Sequence, residues 1–179
     1  MAAKGWKWVV ALAGLFAAGD ADAQWLPPAD CGSLSIHLAG IPEASGARCQ
    51  GDEKRWNELI DASGPDRSFV IRHQSSGLND YLQREEVTQV VKKLTAAAKL
   101  EGVSQRFKLG HFDVALYMAS ANTLAQPAAC FGFLSYAGHV AQTTGYRHAI
   151  IGSYCDLTGK EPTLDRIREL LGGISADFW

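Results

Sequence analysis

Four cysteines constrain the fold of this chain more than any other feature of its sequence. An even number of cysteines in an exported chain predicts disulfide bonds rather than free thiols. Of the three pairings that four cysteines allow, we favour Cys31–Cys49 and Cys130–Cys155, because the partners of each pair are then close in sequence. Zinc sites and redox-active sites usually contain closely spaced cysteines such as C-x-x-C. No two cysteines here are that close, so structural disulfides are the favoured interpretation.

Residues 1–23 have the layout of a secretory signal peptide. Lys4 and Lys7 provide a positively charged start, residues 8–19 are apolar and uncharged, and residues 21–23 (ADA) form a small-x-small cleavage site. The apolar run is shorter than the roughly 20 residues of a membrane-spanning helix. We therefore expect a cleaved signal, with an uncleaved anchor as the alternative, and no stable membrane span in the mature chain. The predicted location is the periplasm or the outside of the cell.

The rest of the 179-residue chain has the length of a single domain. We divide it into an irregular arm over residues 24–51, which is rich in Pro, Gly and Ser, and one domain over residues 52–179. The 17 basic and 19 acidic residues are interspersed and nearly balanced, so the charge does not favour a nucleic-acid partner. The sequence has neither a phosphate-binding glycine loop nor an H-E-x-x-H motif. We accordingly predict no cofactor and no metal.

The clearest secondary-structure signal is an amphipathic helix over residues 79–101. Val87, Val91, Leu94 and Ala98 recur at steps of three and four residues, which places them on one face of a helix. Shorter patterns predict the remaining elements. These are helices over residues 52–62 and 163–171 and strands over residues 68–74, 106–119, 128–137 and 148–156.

The order of these elements predicts the fold class. A strand, a long helix, three strands and a final helix lack the regular β-α-β alternation of a parallel sheet. Short connections with turn-type residues favour antiparallel neighbours. We therefore predict an α+β fold, in which an antiparallel sheet of about four strands carries the long helix and the C-terminal helix on one face, with two disulfides as cross-links. The other face is then covered by the arm, polar, or used for binding.

The histidines offer the main candidates for chemistry. His111 and Asp113 are two residues apart, so on a strand they point to the same face and could bind a metal or transfer a proton. The alternative is a solvent-exposed pair without such a role. His73 is interpreted as a packed strand residue, and His139 and His148 flank a turn across which they could meet. We expect a protein that is not an enzyme, with a small hydrolase or metal-dependent enzyme using His111 and Asp113 as the alternative.

Aromatic residues indicate binding instead. Phe131 and Phe133 project from one face of their predicted strand, and Cys130 and Tyr136 project from the other. If the disulfide faces the core, the two phenylalanines face the arm or solvent and, with Tyr136, mark a candidate binding surface. The alternative, which we favour, is a sheet that is buried on both faces. The predicted function is that of a small exported domain that binds a protein or small-molecule ligand or has an envelope role.

Overall fold

A computed structural model describes residues 25–26, 28–52, 56–77, 80–94, 99–120, 126–141 and 143–179. Most of these residues lie in β-strands. The strands are Ile36–Leu38 (β1), Arg48–Gly51 (β2), Asn57–Asp61 (β3), Arg67–Ser75 (β4), Leu82–Gln83 (β5), Lys99–Leu109 (β6), Phe112–Ser120 (β7), Ala128–His139 (β8), Gly145–Asp156 (β9) and Ile174–Ala176 (β10). The α-helices are Val87–Leu94 (α1) and Leu164–Gly172 (α2), and two 3-10 helices are formed by Pro28–Ser33 and Pro42–Ala44.

Eight of these strands form one antiparallel sheet. Its order is β2-β3-β4-β9-β8-β7-β6, and the short strand β5 pairs with the start of β9. The sheet consists of two meanders, β2 to β4 and β6 to β9, which join where β4 pairs with β9. Strands β1 and β10 form a separate two-stranded sheet. Strand pairing between distant parts of the chain therefore determines the fold.

Both faces of the large sheet are buried. Residues Phe69, Phe131 and Phe133 lie on one face, which we call the inner face, and share a core cluster with Ile167 and Leu170 of α2. The N-terminal residues 34–49 contribute to the same cluster. Thr163 caps α2, since its hydroxyl accepts a hydrogen bond from the backbone N–H of Arg166.

The opposite face, which we call the outer face, is covered by α1. Val87, Val90 and Val91 of this helix pack in a second core cluster together with Cys130 and Cys155. The prediction that both helices lie on one face is therefore wrong. Because α2 covers the inner face and α1 the outer face, apolar side chains are buried on both sides of the central strands.

Both predicted disulfides are confirmed. Cys130–Cys155 joins residues that lie directly opposite each other on β8 and β9. Cys31–Cys49 links the first 3-10 helix to β2. The structure contains no free cysteine among the residues it describes. Two such pairs are consistent with an oxidising environment outside the cytosol.

The predicted α+β fold is wrong, because the described chain is mostly β. The long helix expected over residues 79–101 is observed only as Val87–Leu94. Before it, Leu82–Gln83 pairs with β9, and after it Lys99–Leu109 forms β6; residues 78–79 and 95–98 lie outside the described residues. Hydrogen bonds to neighbouring strands thus override the helical periodicity at both ends of the pattern.

Residues 57–61 also form a strand where the sequence predicts a helix. Ile60 lies opposite Ile71 in the pairing of β3 with β4, and both side chains are buried. The predicted strand over residues 106–119 is two strands, joined by a turn at Gly110, which has a φ of 59°. Left-handed backbone of this kind favours glycine. The strands predicted over residues 68–74, 128–137 and 148–156 are observed as β4, β8 and β9, and the helix predicted over residues 163–171 is observed as α2.

The N-terminal predictions are only partly covered. Residues 1–23, predicted as a signal peptide, lie outside the described residues. The region 24–51, predicted as an irregular arm, contains β1, β2 and both 3-10 helices. Within the described ranges, neither α1 nor α2 has the length and apolar character of a membrane span.

Candidate functional site

The large sheet has one covered edge and one open edge. At β2, the backbone N–H of Leu26 donates a 2.7 Å hydrogen bond to the carbonyl of Cys49, so the preceding chain covers this edge. At the opposite edge, β6 pairs with β7 and with no other strand in the described ranges. Register shifts interrupt the first half of this pairing, and regular pairing runs over residues 105–109. The backbone N–H and C=O groups that point away from β7, at the edge of the sheet, can pair with another strand.

An apolar groove lies between β6 and α2 on the inner-face side of the open edge. Its volume is about 450 Å³. Its apolar lining consists of Phe107, Leu109, Leu116, Pro162, Leu164 and Ile167. Leu164 is 45% exposed, so part of this lining is accessible to an apolar side chain from outside.

A charged groove of about 370 Å³ lies on the other side of β6, beside the start of α1. Asp113 is paired there with Arg84 at 3.1 Å and with Lys108 at 3.4 Å. Arg106 is exposed and forms no ion pair with any described residue. Glu86, which also lines the groove, is exposed. Within residues 105–109 of β6, however, the side chains on the outer face are the cations Arg106 and Lys108, opposite Ala115 and Asp113 of β7.

The structure separates the predicted pair of His111 and Asp113. His111 lies in the turn after β6, where its ring contacts Phe112 and lies 4.1 Å from the ring of Trp179. Burial lowers the pKa of His111. Asp113 points to the outer face, and no hydrogen bond or ion pair joins it to His111 among the described contacts. His111 lies in the turn and Asp113 lies in β7, so the alternation of side chains along a strand does not place both residues on one face.

The described residues also contain no group of three or more His, Cys, Asp or Glu side chains arranged to hold a metal ion. No such group therefore forms around His111 and Asp113 within the described ranges.

The predicted aromatic surface is not formed by Phe131 and Phe133. Both are 0% exposed, because α2 and the N-terminal region cover the inner face. Tyr136, on the outer face, is half-buried: its hydroxyl accepts a hydrogen bond from the N–H of Glu85 at 2.9 Å and donates to the carbonyl of Gln83 at 3.2 Å. This tyrosine therefore ties the segment before α1 to β8.

A second polar site is buried on the inner face. Glu58 and His73 lie directly opposite each other on β3 and β4, and Oε2 of Glu58 lies 2.8 Å from Nδ1 of His73. The backbone N–H of Ser35 donates to both carboxylate oxygens, at 2.9 and 3.1 Å. Nε2 of His73 lies 3.2 Å from Nδ1 of His148 on β9. Carboxylate and imidazoles thus form one hydrogen-bonded chain across three strands.

The charge state of this chain follows from its surroundings. Burial opposes ionisation of Glu58, but hydrogen bonds from His73 and Ser35 outweigh it and lower the pKa of this carboxyl. Burial, followed by the charges of His73 and Arg147, lowers the pKa of His148. Glu58 is therefore ionised and His148 neutral near pH 7. Because a carboxylate only accepts, Nδ1 of His73 carries the proton between them.

Residues 177–179, which we call the covering segment, place Phe178 over the rings of the buried His73 and the half-buried His148. The ring of Phe178 is stacked 4.2 Å from that of His148, at an angle of 7°, and 4.6 Å from that of His73. Oδ1 of Asp177 lies 3.0 Å from Nε2 of His37, within hydrogen-bond distance. The Trp179 ring packs against His111 and the buried Phe112.

Sequence reasoning identified only part of this chain of side chains. His73 was interpreted as a packed strand residue, and it is 1% exposed. Glu58 falls in a predicted helix, and His148 is predicted to meet His139, whose ring instead contacts Tyr146. No local motif could have connected the three residues, because they meet through the registers of β3, β4 and β9.

Comparison with known proteins found no matching family, no matching characterised protein and no matching solved structure. The function must therefore be inferred from the residues and geometry of this chain.

Proposed function

We propose that this protein is an exported, non-catalytic binding domain that takes up an extended segment of a partner protein along β6. The observation that carries the proposal is the open, regular edge over residues 105–109, with a groove on each of its sides. The two disulfides and the predicted signal peptide support a location in the periplasm or outside the cell. In strand addition, main-chain hydrogen bonds provide affinity and the alternating side chains provide specificity.

The two faces of β6 favour different side chains in the added strand. Successive side chains of a strand point to opposite faces of the sheet. On the inner face they would meet Phe107, Leu109 and the apolar groove. On the outer face they would lie beside Arg106 and Lys108. Opposite charges across a strand pair are favourable, so the segment that fits alternates apolar with acidic residues.

A second copy of this chain fits the edge poorly. Pairing of β6 with itself in an antiparallel arrangement would bring Arg106 and Lys108 of one copy close to the same residues of the other. Like charges on facing strands are destabilising. The occupant is therefore a different protein segment with acidic side chains.

A synthetic peptide provides the test. We expect an eight-residue peptide alternating Val and Glu to bind the exported protein, measured by calorimetry, and to slow amide hydrogen exchange within residues 105–109. A peptide alternating Val and Lys serves as the charge control and is expected not to bind. Replacing Arg106→Glu together with Lys108→Glu should weaken binding of the Val–Glu peptide at least tenfold and should allow binding of the Val–Lys peptide.

The matched control changes the same charge elsewhere. Lys92→Glu with Lys160→Glu alters two exposed lysines that lie outside β6 and line neither groove, and it should leave peptide affinity unchanged. The proposal is overturned if the Val–Glu peptide gives no protection of β6, or if both double variants lose affinity equally. Concentration-dependent dimerisation that protects β6 would instead identify a second copy as the occupant.

A further inference from the structure

We infer that Glu58, His73 and His148 form an acid-sensitive latch that seats Phe178 on the inner face and releases it when the two imidazoles both become protonated. The inference is independent of partner binding at β6. Phe178 stacks on both imidazole rings at once. Movement of either ring away from the other therefore removes part of the surface on which Phe178 stacks.

Proton counting shows when the rings separate. With one proton shared between the facing nitrogens, one nitrogen donates and the other accepts, and the 3.2 Å contact of His73 with His148 is a hydrogen bond. Nδ1 of His73 is already committed to the carboxylate of Glu58. A first additional proton leaves this arrangement intact, because one of the two facing nitrogens still lacks a proton and can accept the hydrogen bond. A second one places N–H against N–H, which removes the hydrogen bond and adds a repulsion between two cations.

The charges around the pair decide how the second proton is received. Glu58 on β3 offsets one imidazolium, but not two. The positive charge of Arg147 on β9 opposes protonation of His148, and its guanidinium is itself held by the carbonyls of Gly77 and Asp80. His148 is only half-buried, so this ring, rather than the fully buried His73, can turn towards solvent.

The release is confined to the Phe178 seat. The 3.0 Å contact between Nε2 of His37 and Oδ1 of Asp177 holds the start of the covering segment and involves neither imidazole of the latch. At the end of the covering segment, the Trp179 ring packs against His111 and Phe112 rather than against the two imidazoles of the latch. Acid therefore separates His73 from His148 and unseats Phe178 while its two neighbours stay attached.

The pH range follows from the sign of each shift. The pKa of His148 lies below the ordinary histidine value of about 6.5. The stabilisation from the closed latch is complete above that pH and is lost as the pH falls through the lowered pKa. Glu58 stays ionised over this range because its own pKa is lowered below the ordinary carboxyl value.

Nuclear magnetic resonance of the isotopically labelled, exported protein between pH 8 and pH 4.5 tests the latch. We expect the ring signals of Phe178 to lose their ring-current shifts with the same midpoint, below pH 6.5, at which His148 takes up its proton. His148→Gln, which cannot take up that proton, should make the Phe178 signals independent of pH over this range. His139→Gln, the same change at an exposed histidine of the neighbouring strand, should leave the transition unchanged.

Two results would overturn the inference. One is protonation of His148 with no change in the Phe178 signals of the wild-type protein. The other is an equal pH response in folded His148→Gln. The wild-type titration decides the matter even where the variant does not fold.

Discussion

Oε2 of Glu58 accepts a hydrogen bond from Nδ1 of His73 at 2.8 Å, with both residues only 1% exposed. The same carboxylate accepts three further hydrogen bonds from the backbone and hydroxyl of Ser35. Glu58 thus connects the N-terminal region to the centre of the sheet, in a place where water cannot replace a lost partner.

The first prediction concerns this carboxylate. Glu58→Gln keeps the shape of the side chain but removes its charge and turns one acceptor into a donor that faces Ser35 or His73. We expect the free energy of unfolding to fall by about 2 kcal/mol, the scale of a hydrogen bond to a charged group, as measured by urea denaturation at pH 7. Glu161→Gln, at an exposed position, is the matched control and should change stability by less than about 0.5 kcal/mol. Equal effects of the two substitutions would contradict the assigned role of Glu58.

The second prediction concerns the close approach of β8 and β9. A methyl group at Gly152 would overlap the ring of Phe133, which is fully buried. Gly152→Ala should therefore cost about 1–3 kcal/mol through overpacking, and Phe133→Leu in the same chain should recover part of this loss. At Gly172, in contrast, a methyl group meets nothing within 4 Å, so Gly172→Ala is the control. Thermal denaturation of the three variants tests the contact, and a Gly152→Ala protein as stable as the control would argue against it.

The third prediction concerns the disulfide between β8 and β9. Removing it by Cys130→Ala with Cys155→Ala frees a loop of 25 residues and should lower the free energy of unfolding by about 3 kcal/mol in the chain-entropy model. Cys31→Ala with Cys49→Ala, which opens a loop of 18 residues, should cost a similar amount. Urea denaturation measures both losses. Thiol titration of the denatured wild-type protein should detect no free thiol, and four free thiols would refute both pairings.

The fourth prediction concerns alkaline stability. Burial raises the pKa of Tyr117 to about 12, although its hydroxyl shares a 2.7 Å hydrogen bond with Ser153. In the unfolded chain the Tyr117 hydroxyl ionises near pH 10. As the pH rises, this hydroxyl therefore loses its proton in the unfolded chain before it does so in the folded chain. Ionisation of Tyr117 therefore leaves the free energy of unfolding unchanged below pH 10 and lowers it by about 3 kcal/mol as the pH rises to 12. Tyr117→Phe should reduce this slope in urea denaturation at pH 9 to 11.5, whereas an unchanged slope would show that other groups cause it.

Several elements were predictable because their patterns agree with their tertiary surroundings. The strand over residues 68–74 is rich in β-branched and aromatic residues, and it lies at the centre of the sheet as β4. The helix over residues 163–171 has a capping threonine and a regular apolar stripe. In both cases local preference and long-range packing favour the same structure, so the local sequence pattern is enough to predict the element.

Other elements were not predictable because local and long-range preferences compete. Leu59 and Ile60 are compatible with a helical face, but pairing with β4 places Ile60 inward beside Ile71 and makes the segment a strand. The valines before Leu94 do form a helix, yet the flanking residues join strands. Hydrogen bonds to distant strands decided these segments, and their energy exceeds the small differences in intrinsic propensity.

Spacing along the chain was enough to choose the cysteine partners, since sequence separations of 18 and 25 residues make short loops whose ends meet easily. The layout of residues 1–23 and the even number of cysteines also predict an exported domain. By contrast, His73 and His148 are 75 residues apart, and no local sequence pattern around either histidine predicts their contact. Their contact, the seat of Phe178 and the open side of β6 depend on strand order and register, which arise only when remote segments pair and bury their apolar faces together.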